Sequence, residues 1–212
     1  MMAPIERTKY MDEDEARRLR TVTEAWAITD LQAGRLRGPL VWAVVDAAML
    51  TGLRVSEMAR LTLGDLDLKR GALRVWRHKR KPHKQETLAI PPQLVEHLTH
   101  FVAWKEQVGQ ATSKGSPLFV GKRGPLTPQG LEQLWKVAIK RAGLPKALSI
   151  HCARHTMAVH LLRKTRNLRQ VQKQLGHADP ATTANMYADV SFEDMQAGVT
   201  ALYGDHGGSE KQ

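Results

Sequence analysis

The spacing of apolar residues along the chain predicts a mainly helical protein. Helix-type spacing runs over residues 12–29, and Pro39 opens a largely apolar segment at residues 40–50 that ends at Gly52. Because this second segment is apolar on all sides, we interpret it as a buried helix. Later segments of the same helical period are expected at residues 56 onward, 93–104, 128–141, 150–164, 168–175 and 180–187.

Capping residues support several of these helices. Thr127 stands before Pro128, and Ser149 and Asn167 stand at the starts of the two segments that follow. Gly143 and Gly176 follow the ends of two helical segments, where glycine is the preferred residue. We therefore expect a series of short, well-bounded helices.

The period of the pattern changes to two after residue 65. The segments LDL, ALRVW and ETLAI, at residues 66–68, 72–76 and 86–90, predict three short antiparallel strands, and residues 109–124 are rich in loop-forming residues. The predicted fold class is therefore mainly α with a small three-stranded antiparallel sheet (α+β). We expect one domain over residues 1–203, with residues 1–11 as a flexible lead-in and residues 204–212 as a disordered tail.

Composition narrows the class of partner. The chain has 212 residues and a formal net charge of +11, from 32 Lys and Arg against 21 Asp and Glu, which favours a polyanion such as nucleic acid. The single cysteine, Cys152, cannot pair within the chain and fits a reducing, cytoplasmic setting. No apolar run approaches the length of a membrane span, and the sequence indicates neither a membrane partner nor a thiolate metal site.

Five polar residues at helix starts and turns have the chemistry to act on a phosphate: Arg54, His151, Arg154, His177 and Tyr187. The second and third are three residues apart, so they share one helix face and can converge on a single anion. An arginine can hold two phosphate oxygens at once, and a tyrosine oxygen can attack phosphorus and be held as a covalent ester. Such a site requires no metal and no cofactor.

Three segments, in order along the chain, resemble the three diagnostic boxes of the tyrosine recombinase (phage integrase) family. They are TGLRVSEMARLTLGDLDL, HCARHTMAVHLL and LGHADPATTANMYADV. The resemblance implies the catalytic-domain fold of that family and a site-specific recombinase that cleaves and rejoins DNA through a 3′-phosphotyrosyl intermediate.

The resemblance also implies roles for individual residues. Tyr187 matches the nucleophile, and Arg54, His151, Arg154 and His177 match the groups that bind the scissile phosphate. The acidic residue three positions after the first arginine matches Glu57, which supports the site. The general acid that protonates the leaving 5′ oxygen matches Lys79, although Lys81 and Lys84 in the same loop remain alternatives. The basic residues of this region with an expected DNA-binding role are Arg77, Arg80, Lys81 and Lys84.

The remaining candidates receive structural interpretations. We expect a helix-packing hydrogen bond from His155, a core position for Cys152, and a helix-to-strand junction rather than a metal pair for Asp65 and Asp67. The tyrosines that lack the preceding box, Tyr10 and Tyr203, are rejected as nucleophiles.

The implied partners are double-stranded DNA, three further copies of the chain in a homo-tetramer on DNA, and an accessory DNA-binding protein. A monomer in solution is compatible with this interpretation. The sequence starts where the catalytic domain of the family starts, so we expect no N-terminal core-binding domain, as in small single-domain members. Two alternative functions remain: a type IB topoisomerase-like relaxing enzyme, and a DNA-binding regulator that has kept the fold without turnover.

Overall fold

The computed structural model describes residues 9–77 and 84–176. Within these ranges the chain forms seven α-helices, a short 3₁₀ helix (Leu63–Asp65) and two small antiparallel sheets. The helices are α1 (Glu13–Gln32), α2 (Arg37–Thr51), α3 (Val55–Met58), α4 (Pro92–Gln107), α5 (Pro128–Arg141), α6 (Ile150–Thr165) and α7 (Leu168–Leu175). The strands are β1 (Leu66–Asp67), β2 (Ala72–Arg77), β3 (Lys84–Ala89), β4 (Val120–Gly121) and β5 (Gly124–Pro125).

Helix α2 lies at the centre of the core. Nearly all of its residues are buried, and it packs against α1, α4, α5 and α6. It approaches α1 closely near its start, since a Cβ on Gly38 would lie 2.8 Å from the Trp26 carbonyl oxygen and 2.9 Å from the Asp30 side chain. The helix ends at Gly52, whose φ of 65° belongs to the left-handed region that glycine adopts without strain. The first residue of the candidate site, Arg54, follows this end of α2 by two positions.

A buried polar group joins α1, α2 and α4. The carboxylate of Asp46 accepts hydrogen bonds from Arg20 Nε at 2.7 Å and contacts His97 Nδ1 at 2.9 Å. Both Asp46 and His97 are buried. Burial alone would raise the pKa of Asp46, but its contacts with His97 and Arg20 outweigh it and hold that pKa below the ordinary value. The carboxylate is therefore charged in the interior and depends on its partners.

The larger sheet has the order β1-β2-β3, with antiparallel neighbours. Alternation along β2 turns Leu73, Val75 and Arg77 toward the protein interior and leaves Arg74 and Trp76 exposed. The strands β2 and β3 pair so that Arg77 lies opposite Lys84 and Leu73 opposite Leu88. The inward face of β2 thus ends on a charged residue where the strand reaches the candidate site.

The structure confirms the predicted fold class and most of the capping. The Thr127 and Asn167 side chains accept hydrogen bonds from backbone N–H groups of α5 and α7, and Gly176 ends α7 in the left-handed region. Ser149 precedes α6 as predicted, but its side chain makes no capping bond. A short hairpin, β4 and β5, lies in the stretch that the sequence predicted as loop.

Two further observations concern the predicted ends of the domain and the search for a helix that could span a membrane. Met11, expected in a flexible lead-in, is fully buried and its N–H donates to Thr156 Oγ1 at 2.9 Å. The helix predicted to carry Tyr187 and the tail at residues 204–212 lie outside the described residues. Of the helices in the described ranges, none has the length and apolar character needed to cross a bilayer.

Candidate active site

Four segments of the chain meet at the candidate site: the turn between α2 and α3, the end of β2, the first turns of α6 and the end of α7. Arg54 stands at the N-cap of α3, two residues after Gly52, and its side chain is 23% exposed. The extended backbone of Arg54 and the left-handed Gly52 turn the chain sharply between two buried elements. The guanidinium is therefore held at the rim of the core, where it remains accessible to a ligand.

Glu57 holds this guanidinium in place. Its Oε1 accepts a hydrogen bond from Arg54 Nη1 at 2.9 Å, and its Oε2 accepts from the Arg54 backbone N–H at 2.9 Å and from Arg77 Nη1 at 2.7 Å. Burial by itself would raise the pKa of the Glu57 carboxyl. The Arg54 backbone N–H and the charges of Arg77 and Arg54 outweigh burial, so the pKa lies below the ordinary value and the carboxylate stays ionised. The predicted supporting contact between Glu57 and Arg54 is present.

Arg154 approaches the same place from α6. It is buried, and its Nη1 donates to the Gly52 carbonyl oxygen and its Nη2 to the Leu175 carbonyl oxygen, each at 2.7 Å. Burial lowers the pKa of Arg154 to about 9, and the positive charge of Arg54 acts in the same direction. At neutral pH the group therefore remains protonated. These two bonds use two of the five N–H groups of a guanidinium.

The histidines of the second box occupy different environments. His151 is exposed in the first turn of α6, and Arg154 follows it three residues later on the same helix face. His155 is half-buried, and burial, together with the positive charge of Arg154, lowers its pKa. Its Nδ1 has no hydrogen-bond partner in the described structure, so this atom does not supply the predicted packing bond. Of the three histidines of α6, His151 is the exposed one, whereas His155 and His160 are half-buried.

Arg77 requires a correction. The sequence placed it among exposed DNA-binding residues, but it is 3% exposed and its guanidinium faces the interior. Its Nη1 donates to Glu57 at 2.7 Å and its Nε to Glu86 at 3.1 Å. The two-residue period of β2 carried the signal for this position, since Arg77 shares a face with Leu73 and Val75. A residue that fills this place supports the site from within and does not lie on the surface.

Lys84, at the start of β3, is exposed as predicted. It lines a groove of about 510 Å³ between β3 and α7 together with two further cations, Arg169 and Lys173. The other loop residues with predicted roles, Lys79, Arg80 and Lys81, lie outside the described residues, as do His177 and Tyr187.

The described residues offer no cluster of three or more His, Cys, Asp or Glu that could hold a metal ion. Asp65 has a structural place, because its Oδ2 accepts from the Thr62 backbone N–H at 2.9 Å and from the Thr62 hydroxyl at 2.8 Å. Asp67 accepts from the Arg70 N–H at 3.3 Å. Cys152 is buried in the core, where burial raises the pKa of its thiol. Asp65 ends a short helix and Asp67 lies in β1, so both stand at the predicted helix-to-strand junction, and Cys152 has the predicted core position.

The charge balance suits an anion. Three guanidinium groups lie near two carboxylates. Arg77 lies between Glu57 and Glu86, Arg54 contacts Glu57 from the N-cap of the same helix, and Arg154 interacts with Glu57 electrostatically from α6. The excess positive charge lies beside the end of α7. Preorganised donors of this kind stabilise charge that develops on phosphate oxygens during substitution at phosphorus.

Comparison with known proteins identifies the family. Residues 9–194 match the phage integrase family. The chain belongs to that family. This family member is 38% identical over 161 residues to the tyrosine recombinase XerC of Azotobacter vinelandii, which covers 72% of the chain and 50% of that relative. It is 33% identical over 181 residues to the tyrosine recombinase XerD of Halalkalibacterium halodurans, which covers 83% of the chain and 58% of that relative. The integrase-family chain thus spans little more than half the length of these curated relatives.

Solved structures share the fold. The crystal structure of XerA recombinase is similar with a TM-score of 0.70 and 25% identity, covering 99% of this chain and 68% of that one. XerH site-specific recombinase bound to difH substrate has a TM-score of 0.70 at 20% identity, covering 95% and 56% of the two chains. The resemblance that the three sequence boxes indicated is therefore confirmed, and with it the fold of a tyrosine recombinase catalytic domain.

Proposed function

We propose that this chain is a site-specific DNA recombinase that cleaves and rejoins strands through a 3′-phosphotyrosyl intermediate on Tyr187. The observation that carries the proposal is the convergence of Arg54 and Arg154, which come from distant parts of the sequence. Arg154 donates to the carbonyl of Gly52, two residues before Arg54, and Glu57 fixes the Arg54 guanidinium beside it. Family membership and relatives named tyrosine recombinases support the same conclusion.

In the proposed reaction the two guanidinium groups, His151 and His177 bind the nonbridging oxygens of the scissile phosphate. The Tyr187 oxygen forms a bond to phosphorus as the bond to the 5′ oxygen breaks, and a histidine accepts the phenol proton. Lys79 donates a proton to the departing 5′ oxygen. The phosphotyrosyl ester retains the energy of the broken phosphodiester bond. The 5′ hydroxyl of another strand can therefore attack the phosphorus and displace the Tyr187 oxygen without a cofactor.

The proposed partner is double-stranded DNA. XerH and a Tn1549 transposon integrase are solved as complexes with DNA, and the chain shares their fold. Exchange of strands between two duplexes requires four active sites, so we propose a homo-tetramer assembled on DNA. The single buried Cys152 is consistent with action in the cytoplasm.

The direct test is covalent trapping. A library of nicked duplexes with a randomised central region is incubated with the protein, and DNA that stays attached in denaturant is recovered and sequenced. We expect a covalent adduct that retains label placed on the 5′ side of the break. Tyr187→Phe removes the adduct, whereas the matched change Tyr10→Phe, at a tyrosine that lacks the preceding box, keeps it.

The same experiment separates the alternatives. An adduct that persists in Tyr187→Phe, or no adduct with any library member, contradicts the proposal, and the second outcome favours a regulator without turnover. Relaxation of a plasmid that contains no recovered site favours a topoisomerase.

The general acid has its own test. A substrate whose leaving oxygen is replaced by sulfur needs no protonation, because a thiolate leaves readily. We expect cleavage by Lys79→Met to be slow on the ordinary substrate and restored on the sulfur substrate. Restoration in Lys81→Met or Lys84→Met instead reassigns the role to that lysine.

A further inference from the structure

The end of α7 is bound by two arginines that reach it from other elements. Arg77 Nη2 donates to the Gln174 carbonyl oxygen at 3.2 Å, and Arg154 Nη2 donates to the Leu175 carbonyl oxygen at 2.7 Å. The last carbonyls of a helix lack partners within the helix and carry partial negative charge, so cationic donors stabilise them. The Gln174 side chain also donates to the Ala89 carbonyl of β3 at 3.0 Å. The residue after Gly176, where α7 ends, is His177.

Arg77 connects this helix end to the carboxylate that holds Arg54. Its three nitrogens donate to groups on three elements: Nη1 to Glu57 after Arg54, Nε to Glu86 on β3, and Nη2 to the end of α7. The side chain is 4% exposed, so solvent does not compete for these contacts. A planar guanidinium presents donors in fixed directions, whereas a lysine ammonium cannot reach three separated acceptors with the same geometry.

Gly176 fits against this guanidinium so closely that an added Cβ would displace it. A Cβ there would lie 2.5 Å from Arg77 Nε and 2.7 Å from Cζ, and the φ of Gly176 is +63°. The contact is therefore made by the backbone of the turn that ends α7. Any displacement of Arg77 moves the surface on which this turn rests.

We propose that Arg77 is a positioning residue that fixes the end of α7 relative to the Arg54–Glu57 pair. The proposal rests on the proposed recombinase function for its effect on cleavage. Its structural part, the tethering of α7, stands independently and can be measured without DNA. In this role Arg77 acts through the residues it holds and does not bind the DNA backbone.

The test compares Arg77→Met with Arg74→Met. Both changes remove an arginine from β2, but Arg74 is exposed on the opposite face of the strand. We expect Arg77→Met to accelerate amide hydrogen exchange in the peptide covering residues 168–176, and Arg74→Met to leave it unchanged. At saturating protein, the single-turnover rate of covalent adduct formation falls about 100-fold in Arg77→Met, the effect of a roughly 1 Å misplacement, and is unchanged in Arg74→Met. The salt dependence of DNA binding by Arg77→Met keeps the wild-type slope, because no phosphate contact is lost.

A second variant covers the case in which Arg77→Met does not fold. Gly176→Ala disturbs the same contact from α7 and leaves the bond between Glu57 and Arg54 in place. We expect faster amide hydrogen exchange at the end of α7 and slower cleavage in this variant. If the double variant of Arg77→Met and Gly176→Ala folds, the two effects should be less than additive, because both changes disturb one contact. Wild-type exchange and cleavage rates in Gly176→Ala overturn the proposal, as does an Arg77→Met protein with a reduced salt slope and a normal rate. If the wild-type protein forms no adduct, the recombinase function fails, and the exchange data alone decide whether Arg77 tethers α7.

Discussion

Replacement of Glu57 by glutamine tests the electrostatic account of the site. The carboxylate accepts three hydrogen bonds, two of them from guanidinium groups, and its side chain is 5% exposed. A glutamine has one acceptor oxygen in place of two. If that oxygen keeps the two donors on the Oε2 side, the amide N–H₂ faces Arg54 Nη1, donor against donor. The opposite orientation sets the amide against Arg77 and the Arg54 backbone N–H, so the first orientation costs less and Arg54 is the group released.

The expected loss of stability is large for a single substitution. Removing one partner of a buried ion pair costs about 3–5 kcal/mol, because the remaining charge is left without compensation. For a chain of this size that corresponds to a fall in melting temperature of roughly 6–20 °C. The matched control is Glu86→Gln, which also removes a carboxylate from Arg77. The Glu86 side chain is 23% exposed, so we expect a loss of about 1 kcal/mol or less.

The assay is urea denaturation of the three proteins as a function of pH. The folded-state pKa of Glu57 is lowered, so its contribution is complete above the ordinary pKa and disappears as pH falls through the lowered value. The free-energy difference between wild type and Glu57→Gln should therefore be full at pH 7 and shrink in acid. A difference that stays constant with pH, or a loss at pH 7 no larger than that of Glu86→Gln, refutes the reasoning.

Three further changes test the core. Asp46→Asn weakens the buried contact with His97 and should cost about 3 kcal/mol at pH 7, with a smaller difference from wild type in acid because the Asp46 pKa is lowered, as measured by urea denaturation. Gly38→Ala forces a Cβ to within 2.8 Å of the Trp26 carbonyl and should cost about 1–3 kcal/mol in thermal unfolding; an unchanged melting temperature contradicts the close packing of α1 on α2. Burial lowers the pKa of Lys105, so the contribution of this group to wild-type stability rises with pH from that lowered value toward the ordinary lysine pKa. Lys105→Met should remove this rise in urea denaturation at alkaline pH, and pH profiles that run parallel in the two proteins contradict this expectation.

The sequence predicted the site better where a residue's position follows from local structure than where it follows from packing. The spacing of His151 and Arg154 predicted that both lie on α6, and the capping residues predicted where α5 and α7 begin. Arg77 shows the contrary case. Its neighbours in the sequence are basic, so composition favoured the surface, whereas the alternation of β2 turned it toward Glu57. Strand periodicity outweighed composition because a side chain's face is set by backbone geometry.

By itself the sequence determined the fold class and the order of the elements, and it predicted that Arg54, Glu57, His151 and Arg154 belong to one site. These follow from periodicity, capping and ordered motifs, all of which act over short stretches of chain. Only the tertiary structure decided that Arg154 donates to the carbonyl of Gly52 at the end of α2 and to that of Leu175 at the end of α7. It also decided that the Arg77 side chain is buried in the protein interior. Contacts between residues 102 positions apart, such as Arg154 and Gly52, depend on how helices pack, and no local pattern encodes them.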